Sequence, residues 1–221
     1  MTRFILILLT CFVTHASAQT SVEKVLFIGN SITLHGPKAD IDWSGNWGMA
    51  ASAEAKDYVH LVTKALTEKS GVAPVVMVKN VADFERSYAS YDIASKLKEA
   101  AEFHADVIIL AIGENVPALK TPEEKAKLKT SVTNLIQSLM GDSHPTILVR
   151  SCFWANADKD EALRLACQTV GGIFVDISAL SKDEGNYARS ERPFKHAGVA
   201  NHPGDQGMAA IAQALMKALP K

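Results

Sequence analysis

The sequence predicts an α/β fold: a single flavodoxin-like, three-layer αβα domain on a five-stranded parallel sheet of order 2-1-3-4-5. Three observations predict it. Short apolar runs alternate with helical patterns along the chain beyond residue 18, and strands that alternate with helices call for parallel pairing through helical crossovers. Each strand candidate is nearly continuous Val, Ile and Leu, as in strands buried on both faces. Right-handed crossovers then favour a sheet wound in both directions from its first strand.

The elements follow in order. Arg3, the apolar run Phe-Ile-Leu-Ile-Leu-Leu-Thr-Cys-Phe-Val and the small-residue stretch ending at Ala18 have the layout of a secretory signal, residues 1–18. The run is too short for a permanent bilayer span, which needs about 20 apolar residues. Residues 19–221 are then an exported domain, periplasmic or extracellular, with no stable membrane association expected. Strands are predicted over 24–29, 74–80, 106–113, 145–151 and 172–178. Helices are predicted over 52–70, 87–104, 122–140, 158–170 and 204–219, the third with Thr121 as N-cap and Pro122 in the first helical position.

Charge and cysteine content narrow the function. A net charge of −1 and the absence of a Lys/Arg cluster exclude a nucleic-acid or membrane-surface partner. Cys152, at a strand end, and Cys167, late in the returning helix, fall near opposite ends of the layer, beyond the ~7 Å Cα separation of a disulfide. Both are read as free thiols. The seven histidines lack metal-ligand spacing, and no Gly-x-Gly-x-x-Gly or Gly-x4-Gly-Lys-Ser/Thr occurs. No metal or cofactor is expected.

In open α/β sheets ligands bind outside the carboxyl ends of the strands, where the winding reverses. Ser31, Asn115 and His202 fall on three connections at that edge. Each is suited to one part of acyl transfer: a nucleophilic hydroxyl, an amide donor to an oxyanion, and an imidazole base. Each alone also has a bland reading, as an N-cap, a turn residue or a loop entering a helix. His196 is a competing base.

On these blocks, Gly29-Asn30-Ser31, Gly113-Glu114-Asn115 and His202-Pro203, the chain resembles the SGNH (GDSL-type) hydrolases. The resemblance implies a serine esterase in which Ser31 attacks and His202 takes its proton. It implies oxyanion donors from the Ser31 N–H, the Asn115 side chain and a second-block N–H. Asn80-Val-Ala-Asp-Phe-Glu-Arg lacks the glycine usual in that second block, so spacing assigns the donor to Glu85 or a near neighbour. Val199 occupies the place of the usual acid, three residues before His202. A backbone carbonyl or Asp176 is then left to orient the imidazole, although an Asp at a strand end more commonly caps nearby backbone donors.

Asn30 is assigned to substrate binding with Trp43, Trp47 and Trp154. Flat indole faces stack on sugars, and packing of the 35–58 insertion is an equal reading for Trp43 and Trp47. For Trp154, packing is the favoured one. The expected activity is carboxylic ester hydrolysis through an acyl-enzyme, with O-deacetylation of a small-molecule or polysaccharide substrate as the leading form. The alternatives are a lysophospholipase or thioesterase, and a non-catalytic carbohydrate-binding domain on a degenerate hydrolase scaffold.

Overall fold

The computed structural model describes residues 22–220; the predicted signal segment lies outside them. Five parallel strands, β1 (Lys24–Gly29), β2 (Val75–Asn80), β3 (Val107–Ala111), β4 (Thr146–Arg150) and β5 (Ile173–Val175), form one sheet in the order β2-β1-β3-β4-β5. This is the predicted order. Successive strand side chains point to opposite faces, and the core divides accordingly. Leu26, Ile28, Ile108, Leu110 and Val149 pack on one side, while Val25, Phe27, Ile109 and Leu148 pack on the other.

The first face is covered by α2 (Ala82–Ser87), α3 (Ile93–Lys96), α4 (Lys98–Ala101), α5 (Pro122–Met140) and α6 (Ala157–Thr169); the second carries α1 (Tyr58–Ser70) and α9 (Asp205–Ala218). Two short helices, α7 (Ala188–Glu191) and α8 (Ala197–Ala200), precede α9. Helix α5 starts and stops at its expected limits. Its Thr121 hydroxyl accepts from the Glu124 N–H while the Glu124 carboxylate accepts from the Thr121 N–H, a reciprocal capping box.

Two helices depart from expectation. The first begins at Tyr58 rather than Ser52, because 54–56 form a 3₁₀ turn and buried Asp57 caps the helix through the His60 N–H. The second, expected over 87–104, is broken into α3 and α4, and chain turning directly off β2 forms α2. Asp92 starts α3 as its cap, and the non-helical backbone of Leu97 separates the two turns.

Strand register aligns the carboxyl ends. Gly29 pairs with Asn80 on one side and Ala111 on the other, so the loops carrying Ser31, the start of α2 and Asn115 leave the sheet at one level. Cys152 and Cys167 are both buried free thiols, as the sequence predicts. Among the described residues no helix is long and apolar enough to cross a membrane.

Candidate active site

Ser31 lies within the turn that follows β1, two residues beyond Gly29. The Thr33 and Leu34 N–H groups both donate to the Asn30 carbonyl, and the Ile32 N–H donates to Asn30 Oδ1. So tight a turn needs the glycine before it: a Cβ on Gly29 would lie 1.8 Å from Thr33 Oγ1. The Met49 N–H donates to the Ser31 carbonyl and ties the turn to the 35–58 insertion.

His202 precedes α9 and meets the serine. Ser31 Oγ is 2.8 Å from His202 Nε2, and His202 Nδ1 is 2.7 Å from the Gly198 carbonyl oxygen. A carbonyl only accepts, so Nδ1 carries the proton and Nε2 presents its lone pair to the serine hydroxyl. Burial pushes the imidazole down to about 4, with the Gly198 bond working in the opposite direction. The ring is therefore neutral near pH 7. Val199, at the place of the missing acid, is buried in the apolar cluster with Trp43, Met49, Ala50 and Ala188.

Four sequence expectations change here. Asp176 does not orient the ring: the Gly198 carbonyl does, and Asp176 Oδ1 accepts from the Ser178 N–H at 2.8 Å as a local cap. The Glu85 N–H is committed inside α2 to the Val81 carbonyl, so it is not an oxyanion donor. Asn30 is fully buried, with its amide nitrogen on Glu85 and Glu114, and does not reach substrate. Trp43 and Trp47 pack edge to face with each other and donate their indole N–H groups to the His35 and Ala51 carbonyls. Both indoles line a surface depression with Phe194 instead of the clefts at Ser31.

Trp154, by contrast, stands at the site. Its ring meets the His202 imidazole edge to face, 5.3 Å between centroids. Two clefts meet at Ser31, Asn115, Gly198 and His202. One, about 370 Å³, is walled by His35, Asp83, Arg86 and His196; the other, about 600 Å³, by Trp154, Tyr187, Arg189 and Asn201. His196 is exposed on the wall of the first cleft, while His202 holds the serine.

Beneath the clefts lies a buried charged network that the sequence reading missed. The Glu85 carboxylate accepts from Asn30 Nδ2, the Gly113 N–H, the Asn115 N–H and Asn115 Nδ2, the last at 2.6 Å. Glu114 accepts from Arg150 Nη1, Asn30 Nδ2 and the Phe153 N–H. Burial, and then the neighbouring Glu114 charge, push the Glu85 carboxyl up. Burial also opposes the Glu114 charge, yet the Arg150 guanidinium holds that carboxyl below its usual value. The available signal was Arg150 itself, a lone charge closing an apolar strand. Among the described residues, no group of three His, Cys, Asp or Glu side chains is placed to hold a metal ion.

A doubly wound α/β domain with a serine–histidine pair at the winding reversal is the class that fold and site define. Within it, the fold is that of GDSL-like lipases and family two carbohydrate esterases. A protein described as a GDSL-like lipase from Bacteroides uniformis superposes with a TM-score of 0.56 at 12% identity, over 90% of this chain and 95% of that one. The family two carbohydrate esterase of Cellvibrio japonicus gives 0.55 at 18% identity, over 88% of this chain and 59% of that one. An acetyl xylan esterase from Butyrivibrio proteoclasticus gives 0.52 at 14%, over 88% and 62%. The chain thus spans about three fifths of the length of these two esterases. No protein-family description matches the sequence, and sequence comparison with curated proteins gives no match.

Proposed function

We propose that the chain is an exported serine ester hydrolase acting on an acylated carbohydrate. The observation that carries the reading is the pair of contacts made by His202, 2.8 Å to Ser31 Oγ and 2.7 Å to the Gly198 carbonyl. Ser31 Oγ attacks the ester carbonyl carbon as its proton passes to His202 Nε2, leaving a tetrahedral oxyanion. The imidazolium, steadied by Gly198, protonates the departing alcohol oxygen, and the carbon–oxygen bond breaks to give acyl-Ser31. Water attacks the acyl-enzyme with His202 again accepting the proton, and acid and free serine result.

Three donors are assigned to the oxyanion: the Ser31 N–H, Asn115 Nδ2 and the N–H of Asp83. The last lies in the first turn of α2, where N–H groups have no intrahelical acceptor. Asp83 lines the cleft with Ser31 and Asn115, while the neighbouring Ala82 N–H is held by Asn80. Catalysis here needs no metal or cofactor.

The carbohydrate substrate is supported by the polar walls of both clefts, by Trp154 and Tyr187 in the second, and by the two carbohydrate-ester hydrolases among the fold neighbours. Export rests on the layout of residues 1–18. The test is hydrolysis of p-nitrophenyl acetate and butyrate, then of acetylated xylan, by residues 19–221 beside Ser31→Ala. Turnover that disappears in the variant is the expected result. A folded protein without turnover on any of these esters, or equal turnover in both, overturns the reading.

A further inference from the structure

We propose that Glu85 is a positioning residue that fixes which end of the Asn115 side-chain amide faces the reacting carbonyl. The inference rests on the serine hydrolase reading above and concerns the same site. An asparagine amide presents either a donor or an acceptor to a given point, and only the donor stabilises an oxyanion. What selects the donor must therefore lie on the far side of the amide.

Glu85 occupies that place. It is fully buried, and the partners of its two oxygens are all N–H donors: Asn30 Nδ2, Gly113 N and Asn115 N on Oε1, with Asn115 Nδ2 on Oε2 at 2.6 Å. A carboxylate accepts only, so Asn115 must turn its nitrogen toward it, and the second hydrogen of Nδ2 is left for the cleft. The same carboxylate shapes the turn beneath the amide. Gly113 sits at φ 126°, where a Cβ would lie 2.4 Å from Cys152 Sγ, and its N–H is bound to Glu85 at 2.6 Å.

Glutamine at this position is nearly isosteric but cannot match the pattern. Its amide nitrogen would face either the donors on Oε1 or the Asn115 nitrogen. The second clash is relieved by flipping Asn115, which brings Oδ1 to the place of Nδ2 and turns a lone pair toward the developing oxyanion. Ground-state binding of the ester is little affected by that exchange. The chemical step is.

The experiment is a double-mutant cycle on Glu85→Gln and Asn115→Ala, with kcat and KM measured on p-nitrophenyl acetate and folding checked by thermal melting. Asn115→Ala is expected to lower kcat by about 10²–10³. Glu85→Gln is expected to lower kcat by at least about tenfold with KM within about threefold, and the double variant to be no slower than Asn115→Ala within about threefold, because the two residues act as a unit. Losses that multiply, or a wild-type kcat in folded Glu85→Gln, overturn the proposal.

A variant that does not fold leaves a measurement on the wild-type protein: the Asn115 side-chain amide proton by NMR, assigned by its absence in Asn115→Ala. A downfield-shifted, slowly exchanging proton supports the carboxylate contact, and an ordinary amide shift overturns it. That readout needs no turnover, whereas the hydrolase reading itself stands or falls with Ser31→Ala.

Discussion

At the scale of single residues the site depends on which partner each polar group has. His202 has its proton-bearing nitrogen on a peptide carbonyl, which fixes ring and tautomer but adds no negative charge to steady the imidazolium. In the proposed mechanism the base works in its neutral form, and burial draws the His202 imidazole from 6.5 down to about 4. Activity is thus expected to persist as pH falls through 6.5 and to be lost near 4, as the acid limb of kcat/KM. Asp176→Ala, which removes the acceptor of the Ser178 N–H and of the Ser151 hydroxyl, should give a superimposable profile; a shifted limb or a large drop in kcat/KM in that variant would return Asp176 to the ring. The convergence of Ser31, Asn115 and His202 on one rim was readable because their order along the chain fits three sheet connections. It was not readable for Glu85, since nothing in Asp-Phe-Glu-Arg marks which of its groups turns inward.

At the scale of elements, the connections decide what reaches the clefts. The 35–58 insertion folds on itself because Gly45 leaves room for two indoles: a Cβ there would come within 2.5 Å of the Trp43 ring and 2.8 Å of Trp47. Composition reveals two tryptophans but not the direction they face, so they end in packing while Trp154 stands beside His202. Helix α5, by contrast, is specified locally from cap to end. Replacing Thr121 by Ala removes the acceptor of its capping box and should lower stability by about 1 kcal/mol, measured by urea unfolding, with kcat within about twofold of wild type. An unchanged midpoint would mean that tertiary contacts rather than the cap set where α5 begins. The broken helix over 93–101 is the opposite case, where the spacing of apolar residues suggested one helix and the backbone at Leu97 interrupts it.

At the scale of the whole molecule, a buried ion pair joins the connections that carry the site. Arg150 at the end of β4 meets Glu114 after β3 at 2.6 Å, with the side chains 0% and 3% exposed, and Glu114 holds Asn30, next to Ser31. Arg150 Nε and Nη2 are buried without a hydrogen-bond partner among the described residues, so the pair carries a desolvation cost that its attraction must offset. Arg150→Met is expected to destabilise the fold by about 3–5 kcal/mol, because it leaves Glu114 charged, buried and unpaired. Adding Glu114→Gln should recover part of that loss. Denaturant unfolding of the single and double variants distinguishes this from simple loss of packing, in which the second change gives no recovery.

The sequence by itself determined the layers, the strand order and the three blocks that supply serine, asparagine and histidine. These follow from local periodicity and from topological rules that act on element order alone. Only the tertiary structure decided that the Gly198 carbonyl meets His202 Nδ1, that Trp154 rather than Trp43 or Trp47 stands beside His202, and that Glu85 lies behind Asn115. Each of these is a contact between side chains or peptide groups brought together by packing, and its direction depends on distances of an ångström or two. Sequence spacing fixes which connection a residue occupies; the packed rim fixes what its atoms face.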